Sequence, residues 1–424
     1  MPEEMPFANW LFWTRAPDYH GTMRPGAVAA LAVVCALLGG SAALLVGRAT
    51  GWLDEGGSDT VFVRDATEAA NGAAPVHTET ADPLPGNSFD PARIYRERAD
   101  GVVTIVALFG GAASQGSGFV VSGDGYVLTN SHVITTAGEG SPADETDAAE
   151  TVFVEFRDGD RIRARVVGWD VYDDVGLLKV DPGQHELEPV PLGDSSRVVV
   201  GEPVAAIGSP FGQMSSLSVG VVAATERAID SLTSDYNLVD AIQTDAPINR
   251  GNSGGPMFDA RGFVIGINAQ IRSESGSAEG VGFAIPINSA KRSMEQLIQT
   301  GRVRYAWVGV STQSVTPSLA DRFGLSVEHG AAVQEVVAGS PAAAAGLQGG
   351  GEQEAFAGIP FRPGGDVIVS IAGRRIQDAE DLVRAISERF LPGERVRIGL
   401  VRDGRRVSVE IRLAERPATP GSDR

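Results

Sequence analysis

The feature that most constrains this chain is a serine enclosed by glycines between two apolar runs, in the segment DAPINRGNSGGP. Ser253 is preceded by Gly251 and followed by Gly254 and Gly255. Glycines there allow positive φ and leave no side chain in a substrate's way. They also let successive N–H groups converge on one point. The turn therefore suits an exposed nucleophile, although a Gly-rich surface turn explains the pattern alone equally well.

Chain order separates the two hydrolase plans that place a serine in such a turn. In an α/β-hydrolase the histidine follows the serine, and the only histidine after Ser253 is His329, in a region patterned like a separate module. In the chymotrypsin plan the order is His, Asp, Ser. Among the four upstream histidines, only His132 ends a strand-like alternating run. His132 is therefore the predicted base.

The acid is predicted from the segment DVYDDVGLLKV, which places a carboxylate directly before a strand with a buried pattern. A triad aspartate has to be buried and rigid, because it holds the imidazole in one tautomer. Asp174 adjoins the strand and Asp173 lies one residue further out. Strand alternation points the two side chains to opposite sides. We predict Asp174 as the triad acid and Asp173 as a solvated neighbour.

Taken in order, the segments TNSHVI, DDVGLLKV and GNSGGP resemble the HtrA (DegP-type) serine proteases, as do GSGFVVSGDGYVLTN, IGSPFG and GVGFAIPIN. The resemblance covers roughly residues 90–415. It implies an all-β, chymotrypsin-like double β-barrel protease domain at 90–302 and a smaller α+β PDZ domain at 303–414. It also implies regulation through the active-site loops 209–220, 248–253 and 271–282.

The triad template assigns a role to each predicted site residue. Ser253 attacks the scissile carbonyl, His132 transfers the proton and Asp174 orients His132. The backbone N–H groups of Gly251 and Ser253 are predicted to form the oxyanion hole. This chemistry uses neither a metal nor a cofactor, and none is predicted.

The family plan also locates the primary specificity pocket. Trypsin-like cleavage needs an acid at the base of this pocket, and at that position this chain has Pro247 followed by Ile248. With Ile267 and Ala269 on the opposite wall, the pocket is predicted to accept small aliphatic side chains. Since an apolar pocket discriminates by only about 1–3 kcal/mol per methylene, we expect broad cleavage of unfolded segments. Digestive enzymes of this fold have an Asp at the position of Asn252, and it pairs with the N-terminus that zymogen cleavage creates. Asparagine cannot form that ion pair, so we expect activity to be controlled by the loops instead.

The C-terminal region resembles a PDZ domain, which binds an extended C-terminal peptide by strand addition. The resemblance implies that Val308, Gly309 and Val310 hold the peptide carboxylate and that Ile386 lines the groove. An insertion at 348–363 departs from the family pattern and either extends a loop or covers the groove. A structural domain with a blocked groove is therefore the alternative.

The N-terminal region contains an uncharged apolar span at residues 25–47. Twenty-three residues at about 1.5 Å each reach about 34 Å, enough to cross a bilayer core of about 30 Å. We predict a single-pass transmembrane helix after a cytoplasmic segment, 1–24, with a cleaved signal peptide as the rival. Arg15 and Arg24 before the span favour a cytoplasmic N-terminus.

The remaining segments complete the predicted organisation. Residues 48–89 have the composition of a flexible acidic tether, and residues 415–424 that of a disordered tail. The family resemblance suggests a homotrimer, in which Phe89 and Tyr95 could form the contact, although ordinary packing is the alternative. The net charge of −19 without a basic cluster argues against nucleic acid as a partner. The single cysteine, Cys35, excludes an intramolecular disulfide.

Two functions follow from these observations. The first is a membrane-anchored serine endopeptidase, with extracytoplasmic protease and PDZ domains, that degrades unfolded proteins in quality control or stress signalling. The second is a PDZ-based chaperone or scaffold with a latent protease fold. The complete set of His132, Asp174 and Ser253 favours the protease, because a scaffold needs none of the three.

Overall fold

The computed structural model describes residues 89–137, 146–209, 216–234, 236–249, 251–269 and 281–417. The predicted membrane span at 25–47 and the linker up to residue 88 lie outside the described residues. Within the ranges described, no helix combines the length and the apolar character needed to cross a membrane.

A short helix, α1 (Pro91–Arg98), opens the described part of the chain, with proline at a first-turn position that suits it. Asp90 caps it by accepting a first-turn backbone N–H at 2.9 Å. Ile94 is fully buried in the core that the two barrels share. Phe89 and Tyr95 are partly buried against that core, so both contact their own chain. Their role in a trimer stays a prediction.

Six antiparallel strands close the first barrel in the order β1-β2-β3-β6-β5-β4. Alternate residues of a strand face the barrel interior, so that in β4 Val152 and Val154 are buried. The strands are β1 (Val102–Phe109), β2 (Ala112–Val120), β3 (Tyr126–Thr129), β4 (Thr151–Glu155), β5 (Arg161–Asp170) and β6 (Val175–Lys179). A one-turn helix, α2 (Ser131–Ile134), follows β3.

The second barrel repeats this plan in the order β10-β11-β12-β9-β8-β7. Its strands are β7 (Pro203–Gly208), β8 (Ser216–Asp230), β9 (Asn237–Thr244), β10 (Pro256–Phe258), β11 (Val264–Ala269) and β12 (Gly282–Pro286). One hydrophobic core joins both barrels, since Phe119 and Leu128 of the first pack in the same cluster as Phe258 and Ile267 of the second. Burial of each such side chain contributes about 1.5–3 kcal/mol, which fixes the two barrels against each other.

Helix α3 (Ile287–Thr300) closes the protease domain. Leu297 is buried, and a Cβ on Gly168 would lie only 2.8 Å from its side chain, so the helix packs closely on β5. The helix ends at Gly301, whose φ of 75° provides the left-handed C-cap.

The region after residue 303 has the predicted α+β architecture. Strand β13 (Ala306–Trp307) pairs with β22 (Ala414–Glu415), and a sheet runs in the order β14-β15-β18-β20-β21, with β19 on β18. The strands of the sheet are β14 (Val310–Ser314), β15 (Ala331–Val336), β18 (Val367–Ile371), β19 (Arg374–Arg375), β20 (Arg395–Arg402) and β21 (Arg405–Arg412). The helices are α4 (Pro317–Phe323), α5 (Pro341–Ala344) and α6 (Ala379–Arg389).

The insertion at 348–363 forms a separate two-stranded hairpin, β16 (Glu354–Phe356) and β17 (Ile359–Phe361). Its Phe361 is buried in one cluster with Ala332 of β15, whereas Val333 belongs to the cluster that contains Leu382 of α6. Neighbouring strand residues face opposite sides of a sheet. The insertion therefore packs on the sheet face opposite α6.

The prediction of a disordered tail from residue 415 onward is wrong for its first residues. Glu415 pairs with Ala306 in the β13–β22 ladder. The guanidinium carbon of Arg416 lies 4.9–5.2 Å from three aromatic ring centroids, those of Tyr172, Tyr236 and Tyr305. Polar composition predicted disorder, but these rings belong to distant segments and stabilise the cation in a way composition does not reveal. The rest of the tail, 418–424, lies outside the described residues.

Candidate active site

The predicted nucleophile lies in a tight turn that leads into β10. Gly251 and Gly254 have φ values of 97° and 85°, which favour glycine strongly. A Cβ on Gly254 would lie 2.2 Å from the carbonyl oxygen of Ser117, so no other residue fits. The turn is held by backbone bonds, including Gly254 N–H to Asn268 O at 2.9 Å. The sequence therefore folds into a rigid turn with Ser253 at its centre.

The predicted oxyanion donors lie on this turn. Within the part of the chain that the structure describes, the N–H groups of Gly251 and Ser253 have no acceptor. The neighbouring N–H of Asn252, by contrast, donates to Asn249 O at 2.9 Å. Two free N–H groups on either side of an occupied one can bind a single oxygen atom.

The predicted base and acid are in direct contact. His132 lies on α2, and its Nδ1 is 2.8 Å from Oδ2 of Asp174. The other carboxylate oxygen, Oδ1, accepts the His132 backbone N–H at 3.0 Å and the Ser131 hydroxyl at 2.8 Å. The structure thus brings Asp174, and not Asp173, onto the imidazole.

Asp174 is fixed by its own backbone as well. Its φ of 49° is unusual for a residue with a side chain, and the residue is buried directly before β6. Its carbonyl oxygen accepts the side-chain amide of Asn130 at 2.8 Å. A buried, multiply bonded carboxylate of this kind has one orientation, as the orienting member of a triad requires.

Opposing effects act on the pKa of His132. Burial lowers the pKa because it disfavours the imidazolium, but the charge of Asp174 and its hydrogen bond raise the pKa and outweigh burial. The net result is a pKa above the usual value for histidine. The site therefore stabilises the protonated imidazole that forms when a base takes up a proton.

The nucleophile turn and the histidine helix approach the same point of β2. A Cβ on Gly116 would lie 2.7 Å from Val133 and 3.1 Å from the carbonyl oxygen of Ser253. Among the described residues, the hydroxyl of Ser253 has no hydrogen-bond partner. Catalytic hydrogen bonds are often long before substrate binds. The hydroxyl is thus buried but not engaged by any other group of the described residues.

A second buried carboxylate, Asp170, lies four residues before Asp174. It accepts the hydroxyls of Ser293 and Tyr305, both at 2.6 Å. Burial, followed by the nearby charge of Asp173, raises the pKa of Asp170 to about 6. Sequence reasoning missed this residue. The signal in the sequence is that Asp170 is a further acid in the segment DVYDDVGLLKV, at the end of the preceding strand.

The predicted specificity pocket is only partly described. Ile248, Ile267 and Ala269 are all buried, and the latter two belong to the core shared by the barrels. Ile248 packs beneath β12, since a Cβ on Gly282 would lie 2.6 Å from its side chain. Residues 270–280 lie outside the described residues. The pocket assignment therefore stays a prediction.

The predicted carboxylate-binding loop has free donors. The N–H groups of Val308 and Gly309 have no acceptor within the described ranges, whereas their carbonyl oxygens are bound by Ala342 N–H at 2.9 Å and Val337 N–H at 3.0 Å. Gly309 has a φ of 84°. Ile386 lies on the buried face of α6. These features are compatible with capture of a terminal carboxylate, and the role of the loop stays a prediction.

Sequence reasoning also missed Ser117, which lies fully buried in β2. Its hydroxyl donates to Gly251 O at 2.6 Å, and its N–H donates to Ser253 O at 2.8 Å. The only signal in the sequence is a serine between Gly116 and Gly118. That pattern does not reveal a contact across 134 positions of the chain.

Comparison with known families gives two matches. Residues 116–267 match the trypsin-like peptidase domain, and residues 307–413 match the PDZ domain. Each match coincides with one of the regions described above.

Curated relatives include probable periplasmic serine endoproteases described as DegP-like. That of Hahella chejuensis is 41% identical over 72% of this chain and 58% of its own length. That of Pseudomonas putida strain F1 is also 41% identical, over 72% of this chain and 57% of its own length. The chain thus spans less than two thirds of the length of these relatives.

Solved structures give a closer match in length. The HtrA-type protease AlgW with a tripeptide is 34% identical, with a TM-score of 0.64, over 77% of this chain and 98% of its own. The serine endoprotease from Yersinia pestis is 28% identical, with a TM-score of 0.56, over 77% of this chain and 98% of its own.

Proposed function

Because the chain belongs to the HtrA-type serine proteases, we propose that it hydrolyses peptide bonds of unfolded proteins with the triad His132, Asp174 and Ser253. The observation that carries the proposal is the bond of 2.8 Å between His132 Nδ1 and Asp174 Oδ2, on a helix that meets the Ser253 turn at Gly116. A latent fold has no need of this arrangement.

The reaction follows from the geometry. Because Asp174 accepts the Nδ1 proton of His132, the lone pair of Nε2 is left to act as the base. Ser253 Oγ attacks the scissile carbonyl as Nε2 takes its proton, and Nε2 then protonates the leaving amine. Water hydrolyses the acyl-enzyme in the reverse sequence. Asp174 stabilises the imidazolium throughout.

The negative charge that develops on the carbonyl oxygen is bound by the N–H groups of Gly251 and Ser253. The donors are fixed before substrate binds, because the positive φ of Gly251 and the bonds of the turn set their directions. Loss of one such donor typically costs about 3–4 kcal/mol of transition-state stabilisation. Ile248, Ile267 and Ala269 form the proposed apolar pocket for small aliphatic side chains.

We further propose that the PDZ domain regulates the protease domain. Arg384 of α6, the helix beside the proposed peptide groove, reaches Glu226 Oε2 at 3.0 Å and Asp240 Oδ1 at 3.4 Å. Glu226 and Asp240 lie on β8 and β9, and both have a positive φ. A left-handed residue with a side chain costs on the order of 1–2 kcal/mol. The contact therefore joins the groove helix to a strained part of the protease domain.

Anchoring and location are part of the proposal. The apolar span at 25–47 would hold the protease and PDZ domains on the extracytoplasmic side of the cell membrane. The periplasmic relatives support this side of the membrane. The proposed assembly is a homotrimer, and the proposed PDZ ligand is a C-terminal peptide.

The test is degradation of unfolded casein by the full chain in detergent, with Ser253→Ala beside the wild type. Hydrophobic C-terminal peptides are added in a parallel series. The proposal expects degradation by the wild type, stimulation by peptide and no degradation by Ser253→Ala. Degradation that persists in Ser253→Ala contradicts the triad. If the wild type instead suppresses casein aggregation without cleaving it, the scaffold alternative is favoured.

A further inference from the structure

Ser117 connects three parts of the protease domain that are distant in sequence. It lies in β2 of the first barrel and is fully buried. Its backbone N–H donates to Ser253 O at 2.8 Å, and its carbonyl oxygen accepts the hydroxyl of Thr129 at 2.6 Å. The backbone of Ser117 is therefore fixed both to the nucleophile turn and to the strand that leads to His132.

The hydroxyl of Ser117 bonds to two further elements of the second barrel. It donates to Gly251 O at 2.6 Å and accepts the N–H of Ser209 at 2.8 Å. Ser209 directly follows β7, and its own hydroxyl accepts that of Thr104 at 2.7 Å. One hydroxyl thus uses both its donor and an acceptor lone pair to hold the end of β7 against the oxyanion turn.

The hydrogen bond from the Ser117 hydroxyl to Gly251 O fixes the backbone that forms the oxyanion hole. Gly251 has a φ of 97° and no side chain, so no side-chain packing holds this residue and its hydrogen bonds matter more. The carbonyl that Ser117 binds belongs to the peptide that joins Gly251 to Asn252, between the two proposed oxyanion donors. Fixing this peptide plane fixes the relative direction of the N–H groups of Gly251 and Ser253.

We propose that Ser117 is a positioning residue for catalysis: its hydroxyl sets the oxyanion turn and couples that turn to Ser209 at the end of β7. This inference rests on the proposed function and adds a residue and a route of coupling to it. Ser117 touches no substrate. Its removal takes away the donor to Gly251 O and the acceptor of Ser209 N–H, which lets the turn relax.

The test compares the full chain with Ser117→Ala and Ser117→Cys. The matched control is Ser122→Ala, because Ser122 lies in the turn after β2 and its hydroxyl has no partner among the described residues. For Ser117→Ala we expect kcat to fall about 10- to 100-fold, the range of a misplaced catalytic group, with KM within about twofold. Ser117→Cys, a weak donor of similar size, is expected to recover part of kcat.

Two readouts separate positioning from a general structural role. The pH midpoint of kcat, which reports His132, is expected to stay at the wild-type value in Ser117→Ala. Hydrogen exchange, measured in a Ser253→Ala background that prevents self-digestion, is expected to accelerate about tenfold at Ser209 and at 251–255 and nowhere else in the barrels. This second readout does not depend on peptidase activity.

Three outcomes would overturn the inference. The first is a kcat for Ser117→Ala within about twofold of the Ser122→Ala control. The second is unchanged exchange at 251–255, and the third is uniform acceleration across both barrels. If the wild type cleaves no peptide at all, the proposed function fails, and local exchange alone then decides the role of Ser117.

Discussion

Asp174 holds His132 by both of its carboxylate oxygens. Oδ2 lies 2.8 Å from the ring nitrogen Nδ1, and Oδ1 accepts the backbone N–H of the same histidine at 3.0 Å. Ring and backbone are therefore fixed by one buried group, which sets the orientation and the tautomer of the imidazole together. The remaining ring nitrogen, Nε2, is left for proton transfer.

The pH dependence of kcat/KM follows from this contact. The base has to be neutral, and Asp174 raises the pKa of His132 above its usual value of about 6.5 despite the opposing effect of burial. Activity is therefore expected to rise with pH through a midpoint above about 6.5. Asp174→Asn should move the midpoint to lower pH and reduce kcat by about 10⁴-fold. A pH–rate profile of both proteins checks this, and an unchanged midpoint in Asp174→Asn would contradict the assignment.

The buried Asp170 is expected to make stability fall as pH rises. Its pKa is raised to about 6 in the folded protein, against about 3.9 when unfolded. Between these values the folded state holds a proton that the unfolded state has lost, so rising pH favours unfolding, by up to about 3 kcal/mol. The Tm of Asp170→Asn should therefore rise relative to that of the wild type as the pH is increased from about 4 to about 7.

Melting curves at several pH values, with Asp181→Asn as control, measure this difference. Asp181 lies in an exposed turn, so its substitution removes the same formal charge without burial. A Tm difference for Asp170→Asn that is independent of pH would show that Asp170 does not titrate as proposed.

Gly254 and Gly262 have almost the same backbone conformation, so a comparison of alanine variants distinguishes backbone strain from a steric clash of the added Cβ. Gly254 has a φ of 85° and Gly262 a φ of 83°, so alanine costs each site a similar strain of about 1–2 kcal/mol. At Gly254 the added Cβ meets Ser117 O at 2.2 Å, whereas at Gly262 it meets the flexible Arg98 side chain at 3.3 Å. Gly254→Ala should abolish peptidase activity and destabilise the domain by roughly 1–3 kcal/mol more than Gly262→Ala does.

Denaturant unfolding and a peptide cleavage assay of the two variants provide the comparison. Equal losses of stability and activity in both variants would mean that the turn around Ser253 is not as tightly packed as the structure indicates.

The coupling between the PDZ and protease domains is expected to depend on Arg384. Its ion pairs reach Glu226 and Asp240 across the domain boundary, whereas Arg374 pairs with Asp381 within the PDZ domain at 3.0 Å. Titration of a hydrophobic C-terminal peptide should change kcat in the wild type and in Arg374→Ala but not in Arg384→Ala. The same peptide response in all three would remove Arg384 from the regulatory path.

Local chemistry explains how much of the site the sequence could predict. Glycine spacing, chain order and the strand before Asp174 are properties of short segments, and they led to His132, Asp174 and Ser253, which the structure brings to one place around β2. Helix α6 and the turn at Asp403 and Gly404, with positive φ at both, were predictable for the same reason.

The parts that could not be predicted depend on contacts between distant segments. Ser117 acts on Gly251 across 134 positions, and Arg416 is ordered by rings that include Tyr172 and Tyr305. The insertion at 348–363 follows the same rule, because the sheet face it covers is set by the burial of Phe361. No local pattern encodes such partners.

The most direct test of the central claim is covalent labelling of the full chain with a fluorophosphonate, followed by peptide mass spectrometry. The claim predicts a single adduct on Ser253, formed quickly in the wild type and at least about 10³-fold more slowly in His132→Ala, since the template triad loses most of its activity without its histidine. Rapid labelling of another serine, or labelling of Ser253 that does not depend on His132, would contradict it.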